Sequence, residues 1–236
     1  MRDAYRHFLA EFVGTFALVF VGGGAIIQSA ARNSPSGLVE VALAHGLILA
    51  LMVSALMRIS GHFNPAVTVA FLVTRRIEAM MAGLYIVAQI LGAMVAAYAL
   101  KTLLPGEAAM AARLGGQSVA LGVTFGQAVA LEAIGTFFLV WVIWGTAVDP
   151  QAPKIGGLAI GLTLSAVIFA IGPYTGASIN PARSLGPAVA SGMFDGLAVY
   201  WTGPFIGAIA AALLYEAFML KHPVEPVDHG AVQPVE

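Results

Sequence analysis

The stretches ISGHFNPAVT, residues 59–68, and TGASINPARSLGPA, residues 175–188, decide the fold of this chain. Each contains the tripeptide Asn-Pro-Ala, as Asn64-Pro65-Ala66 and Asn180-Pro181-Ala182, and each Pro begins a short apolar segment, 65–73 and 181–190. Pro at the first helical position after a capping Asn is a helix-start signal. A spanning helix needs about 20 apolar residues, so each segment predicts a half-helix that re-enters the membrane and lies buried in protein or along a wet cavity.

The composition around these stretches is that of an integral membrane protein. Of 236 residues, 59% are hydrophobic and 10% are charged, whereas a soluble domain is about 25% charged. The net charge of −1 gives no reason to expect a nucleic-acid partner, and the absence of Cys excludes thiolate catalysis and Cys-ligated metals. Six apolar stretches predict membrane spans: 8–27, 38–59, 79–100, 128–148, 156–171 and 197–220.

The positive charges predict how these spans are oriented. Six spans place both termini on one side of the membrane, and that side holds seven Lys and Arg residues against three on the other, with Arg183 set aside. By the positive-inside rule both termini are expected in the cytoplasm of a multi-pass cell-membrane protein, the inner membrane in a bacterium. We expect a single membrane domain, 1–221, followed by a polar, Pro-rich and disordered tail, 222–236.

The first predicted membrane span, residues 8–27, has an alternative interpretation. Arg2 and Arg6 precede its apolar run, so it could be a signal peptide. Glu11 lies inside the run, however, and a cleaved leader has no use for a buried acid. A retained spanning helix is therefore the favoured interpretation.

The chain contains an internal sequence repeat. AEFVGTF at 10–16 matches LEAIGTF at 131–137, and the two Asn-Pro-Ala tripeptides match at an offset of 116 residues. Each repeat, about 8–100 and 128–220, holds three spans, so the copies have opposite orientations, as in many transport proteins. Gly61 and Gly176 are offset by 115 residues. The first repeat therefore lacks one residue between Gly61 and Asn64.

Inverted symmetry brings the N-termini of the two half-helices together near the membrane midplane. Each N-terminus carries roughly half a positive charge and free N–H donors. Asn64 and Asn180 add side-chain amide donors at this point. Such a site accepts the lone pairs of water, disfavours cations and breaks a proton-relaying run of waters.

Three charged residues are predicted at membrane depth. Arg183 lies in the first turn of the second half-helix, where it is expected to line a pore; pairing with Asp195, the nearest acid in sequence, is the alternative. Glu11 and Glu132 occupy matching places in the two repeats. We expect each to anchor a re-entrant loop by accepting backbone N–H bonds, and the alternative is proton relay or ion coupling.

The remaining polar residues give no sign of catalysis. His45, on an apolar face of the second span, is equally consistent with a satisfied core residue and a functional one, and His62 is placed to border a pore mouth. The sequence has no His, Asp and Glu cluster with metal-ligand spacing and no P-loop. No cofactor, metal or enzymatic activity is expected. The fold class expected is all-α: six transmembrane helices plus two re-entrant half-helices in an inverted repeat.

These motifs resemble the aquaporin, or major intrinsic protein, family over about residues 8–220. The carriers are the two Asn-Pro-Ala stretches, the second followed by Arg183, together with AEFVGTF near the start. The resemblance implies a right-handed helical barrel with one pore per subunit, a homotetramer in the lipid bilayer and passive conduction.

In this family a four-residue constriction distinguishes subtypes, and the resemblance places it at His45, Ile168, Ala177 and Arg183. The residue missing before Asn64 shifts the second-span position by one, to His45. Strict water channels usually have Phe in span two and His in span five. Glycerol facilitators have Trp, Gly and Phe before the Arg and Asp after it, whereas Ser184 follows Arg183 here. The quartet is most similar to that of plant tonoplast channels.

The sequence therefore predicts a passive channel for water and small neutral solutes such as ammonia, urea or hydrogen peroxide. A glycerol or polyol facilitator is the first alternative. A secondary transporter that uses Glu11 and Glu132 as coupling acids is the second.

Overall fold

The computed structural model describes residues 2–34 and 37–220, which contain nine α-helices and no strand. In chain order the helices are α1 (Arg2–Ala31), α2 (Gly37–Leu56), α3 (Pro65–Val73), α4 (Ala79–Leu103), α5 (Gly106–Ala111), α6 (Phe125–Ile143), α7 (Gly156–Thr175), α8 (Pro181–Ser191) and α9 (Val199–Phe218). A π-helical turn, Trp144–Val148, extends α6. The tail 222–236, which the sequence predicts to be disordered, lies outside the described residues, as does Lys221.

Among the described residues, six helices are long and apolar enough to cross a membrane: α1, α2, α4, α6 with its π turn, α7 and α9. The predicted number of spans and the all-α inverted-repeat class are confirmed. The fifth span is longer than predicted, since α7 continues through Pro173 and ends before Gly176, which has a φ of 78°. The prediction stopped at 171 because Gly172 and Pro173 are helix breakers, but near a C-terminus a Pro removes only one hydrogen bond.

The two short segments form half-helices that begin as predicted. Asn64 Oδ1 accepts the N–H of Ala66 at 2.9 Å and so caps α3. Asn180 Oδ1 accepts the N–H groups of Ala182 at 3.1 Å and Arg183 at 3.2 Å and so caps α8. α8 ends at Ser191, one residue later than expected.

The two repeats meet where α2 crosses α7, and their backbones touch at Gly46 and Gly161. A Cβ built on Gly161 would lie 2.2 Å from the Gly46 carbonyl oxygen, and one on Gly46 would lie 2.5 Å from the Gly161 carbonyl oxygen. Small residues allow such close approach between helices in lipid. Because Gly46 and Gly161 are repeat counterparts, this contact sets the register between the halves.

We expect Gly161→Ala to reduce the yield of folded protein strongly. Its methyl group would meet backbone atoms that cannot move without separating α2 from α7, and such overpacking costs about 1–3 kcal/mol or more. The measurement is the monodisperse fraction in detergent gel filtration. Gly83→Ala on α4 is the matched control, since nothing lies within 4 Å of its added Cβ. Equal yields for the two variants would contradict the prediction.

Candidate functional site

The N-termini of α3 and α8 exchange hydrogen bonds at the centre of the molecule. Asn64 Nδ2 donates to the Ile179 carbonyl oxygen at 2.8 Å, and Asn180 Nδ2 donates to the Phe63 carbonyl oxygen at 2.8 Å. Each amide thus uses its oxygen to cap its own helix and one N–H to hold the other loop. An amide has two N–H donors, so one remains on each Asn, and both residues line an enclosed cavity.

Glu132 and Glu11 are fully buried, and each binds the loop that precedes a half-helix. Glu132 accepts the hydroxyl of Thr175 at 2.7 Å and the N–H groups of Ser178 at 3.0 Å and Ile179 at 2.6 Å. Ile179 has a φ of 43°, a left-handed conformation that is unfavourable for a β-branched residue. The carboxylate contacts hold the loop in this strained shape.

The first repeat has the same arrangement around Glu11. Its carboxylate accepts the Ser60 hydroxyl and the N–H groups of His62 at 2.9 Å and Phe63 at 2.7 Å. Gln89 on α4 donates a fourth bond at 2.6 Å. With four donors already on Glu11, the loop-anchoring interpretation accounts for all of its contacts without ion coupling.

Arg183 contacts His45 across the space between α8 and α2. Arg183 Nη2 lies 2.8 Å from His45 Nε2, and His45 Nδ1 lies 2.8 Å from the Val41 carbonyl oxygen. A carbonyl can only accept, so the proton belongs on Nδ1 and Nε2 accepts from the guanidinium. A Cβ on Gly22 would lie 2.2 Å from Nε2, so only glycine on this part of α1 leaves room for the imidazole.

Arg183 forms no ion pair with Asp195, whose carboxylate instead pairs with Arg113 at 3.2 Å. Arg183 Nε and Nη1 are buried and have no hydrogen-bond partner among the described residues. Unpaired guanidinium donors at this depth are costly. Arg183 also lines the central cavity.

Three cavities follow one another along α7. A cavity of about 500 Å³, the filter-side mouth, is lined by Ile168 and by the C-terminal end of α7 at Gly172 and Gly176. Another of about 690 Å³, the terminus-side mouth, reaches the opposite end of α7 at Gly156. Between them is the enclosed central cavity of about 20 Å³, which both Asn residues and Arg183 line. This volume suits water-sized molecules.

The other two residues of the expected constriction are also buried. Ile168 is 1% exposed and lines the filter-side mouth, and Ala177 is fully buried with a φ of 46°. The Ala177 N–H donates to the Thr175 hydroxyl at 3.1 Å.

Sequence reasoning missed the polar residues that support the half-helices. Ser184, which directly follows Arg183, donates its hydroxyl to the side-chain oxygen of Gln117 at 2.7 Å. Gln89 donates to the Thr68 hydroxyl at 2.9 Å. The repeat offset pairs Thr68 with Ser184, and a Gln inside an apolar span is unusual. Both signals were present in the sequence.

Comparisons with known proteins identify the family and the fold of this chain. The family model described as major intrinsic protein matches residues 1–215. A probable aquaporin TIP3-2 from Arabidopsis thaliana is 43% identical, covering 99% of this chain and 91% of its own length. An aquaporin TIP2-1 from the same plant is 43% identical over 89% of this chain and 86% of its own length. The X-ray structure of the aquaglyceroporin from Plasmodium falciparum superposes with a TM-score of 0.81 at 23% identity, over 91% of this chain and 96% of that one, which shows the fold alone.

Proposed function

Since this chain belongs to the major intrinsic protein family, we propose that water crosses it from the filter-side mouth, past Arg183 and the two Asn amides, to the terminus-side mouth. The chain is a multi-pass membrane protein and a passive channel for water and small solutes, not an enzyme. The glycerol facilitator and the secondary transporter are not favoured.

The proposed mechanism depends on the hydrogen bonds that Asn64 and Asn180 each donate to the opposite loop. They fix two amide N–H donors at the positive ends of α3 and α8. A water molecule there accepts with its oxygen and turns its hydrogens away toward both mouths. The chain of similarly oriented waters that proton transfer needs is therefore interrupted, and cations meet an unfavourable field.

The filter consists of His45, Ile168, Ala177 and Arg183 in this proposal. Arg183 supplies donors, and His45 in its Nδ1–H form orients the guanidinium through Nε2. Ile168 offers no polar partner, and Ala177 leaves room. The filter therefore suits water together with small neutral solutes such as ammonia, urea and hydrogen peroxide.

We also propose residues 1–221 as one channel domain that assembles as a homotetramer. The Lys and Arg distribution supports cytoplasmic termini. The relatives of TIP type favour an intracellular host membrane over the expected cell membrane. Cross-linking in native membranes and cell fractionation test the assembly and the location.

Stopped-flow light scattering of proteoliposomes tests the channel. We expect fast shrinkage in sucrose, well above that of protein-free vesicles, and slow re-swelling with glycerol. Rapid re-swelling with glycerol would favour the polyol facilitator. Saturable uptake driven by a pH gradient and abolished by Glu11→Gln would overturn the channel.

A further inference from the structure

The loop before α3 is one residue shorter than the loop before α8, and the shortening falls at a defined place. Three residues, 176–178, separate the anchored Thr175 from Ile179, but only two, 61–62, separate Ser60 from Phe63. Glu11 still binds Ser60, His62 and Phe63 as Glu132 binds their counterparts. The anchor is therefore intact, and the residue that is absent is the counterpart of Ala177.

The repeat offsets show what the first half places opposite the filter. The offset of 115 that relates Gly46 to Gly161 pairs His45 with Ile160 and Val53 with Ile168. After the short loop the offset becomes 116 and pairs Val67 with Arg183. The terminus-side counterpart of the filter is thus a ring of three aliphatic residues, Val53, Val67 and Ile160, with no fourth member.

All three ring residues line the central cavity, together with the Asn amides. Their exposed fractions are only 2%, 1% and 4%, and the space that they line is narrow, since the cavity measures about 20 Å³. Further apolar residues line the same cavity: Leu18, Leu49, Phe63, Leu139, Ile143, Leu164 and Ile179. The polar side chains that line the cavity are His62, Asn64, Ser178, Asn180 and Arg183. None of these five belongs to the ring.

A solute at the ring loses hydrogen bonds to water and regains few of them. The filter offers the guanidinium of Arg183, which lines the same cavity, whereas the side chains of the ring offer no hydrogen-bonding group. The cost of passage therefore rises with the number of hydrogen-bonding groups and with the cross-section of the solute. Water is affected least, and a polyol with three hydroxyl groups is affected most.

We propose that Val53, Val67 and Ile160 form a second selectivity ring, and that this ring, rather than the filter, rejects polyols. The ring is apolar because Val67 and Ile160 stand at the positions that correspond, in the opposite repeats, to Arg183 and His45 of the filter. The inference rests on the proposed conduction path through the central cavity.

Paired substitutions at counterpart positions test the ring. We expect Val53→Ala to raise the glycerol permeability of proteoliposomes on the order of tenfold, the discrimination typical of a methyl-sized change in a pocket. Water permeability should change by less than about twofold, because water is least sensitive to an apolar ring. Ile168→Ala, the counterpart change in the filter, should raise glycerol permeability less than Val53→Ala does.

A second variant distinguishes the effect of the polarity of the ring from that of its width, and a control variant accounts for altered folding. Val53→Thr keeps the shape and adds a hydroxyl, so glycerol permeability should rise about three- to tenfold, the value of one hydrogen bond. Val140→Ala controls for the loss of buried methyl groups, since Val140 is fully buried but does not line the cavity. Gel filtration shows that each variant is folded.

The outcomes separate this inference from the proposed function. Absence of water conduction by the unchanged protein would overturn the channel itself. If the unchanged protein conducts water, unaltered glycerol permeability in both Val53 variants would overturn the ring alone. A larger glycerol increase in Ile168→Ala than in Val53→Ala would also overturn it, since rejection would then occur at the filter.

Discussion

Replacing Arg183 with alanine is expected to raise the leak of protons and cations through the channel by tenfold or more. Arg183 is 2% exposed, and no acid among the described residues neutralises it by an ion pair. At a separation of about 4 Å and an effective dielectric constant of about 20, a unit charge repels a cation by about 4 kcal/mol. A third of that energy already corresponds to about a tenfold change.

The leak is measured as acidification of a pH dye inside potassium-loaded proteoliposomes. Arg113→Ala is the matched control, because this residue pairs with Asp195 outside the filter. Its leak should equal that of the unchanged protein. Equal leaks in Arg183→Ala and in the control would remove Arg183 as the group that excludes cations.

Replacing Glu132 with alanine is expected to destabilise the fold and abolish conduction together. The change leaves the N–H groups of Ser178 and Ile179 without their acceptor in a buried loop. Each such group costs about 1–3 kcal/mol. At about 2–4 °C per kcal/mol for a chain of this size, the melting temperature should fall by roughly 5–20 °C.

Thermal gel filtration in detergent provides the measurement, with Glu107→Ala as the control on an exposed turn of α5. Glu132→Gln should be damaging too, but less so than alanine. The glutamine amide keeps one acceptor oxygen. In place of the second carboxylate oxygen it presents an N–H₂ group, which cannot accept from the loop donors. Unchanged stability in Glu132→Gln would contradict the anchoring role.

Much of this architecture could be predicted because its signals are local. The Asn caps, the Pro at the first helical position and the length of each apolar run lie within about 25 residues of one another. The three spans in each repeat then predict that the two halves have opposite orientations in the membrane. The error at Pro173 arose because a Pro was taken as the end of the helix, although it removes only one backbone hydrogen bond.

The contacts of the filter could not be predicted in the same way. The His45–Arg183 pair joins residues 138 positions apart. Its geometry depends on how closely α2 and α7 approach each other at Gly46 and Gly161, and on the space that Gly22 leaves for the imidazole. The supporting Gln89 and Gln117 follow from the same three-dimensional packing.

The exchange of amide bonds between Asn64 and Asn180 has a consequence for how the chain is made. The bonds span 115 and 117 residues, so each loop stays incomplete until the other half has been synthesised and inserted. A first half emerging alone would carry an unclosed re-entrant loop with an unmet donor and acceptor in a medium without water. We therefore expect a late closing step in biogenesis, in which the two loops complete each other, and we expect neither half to be a stable product by itself.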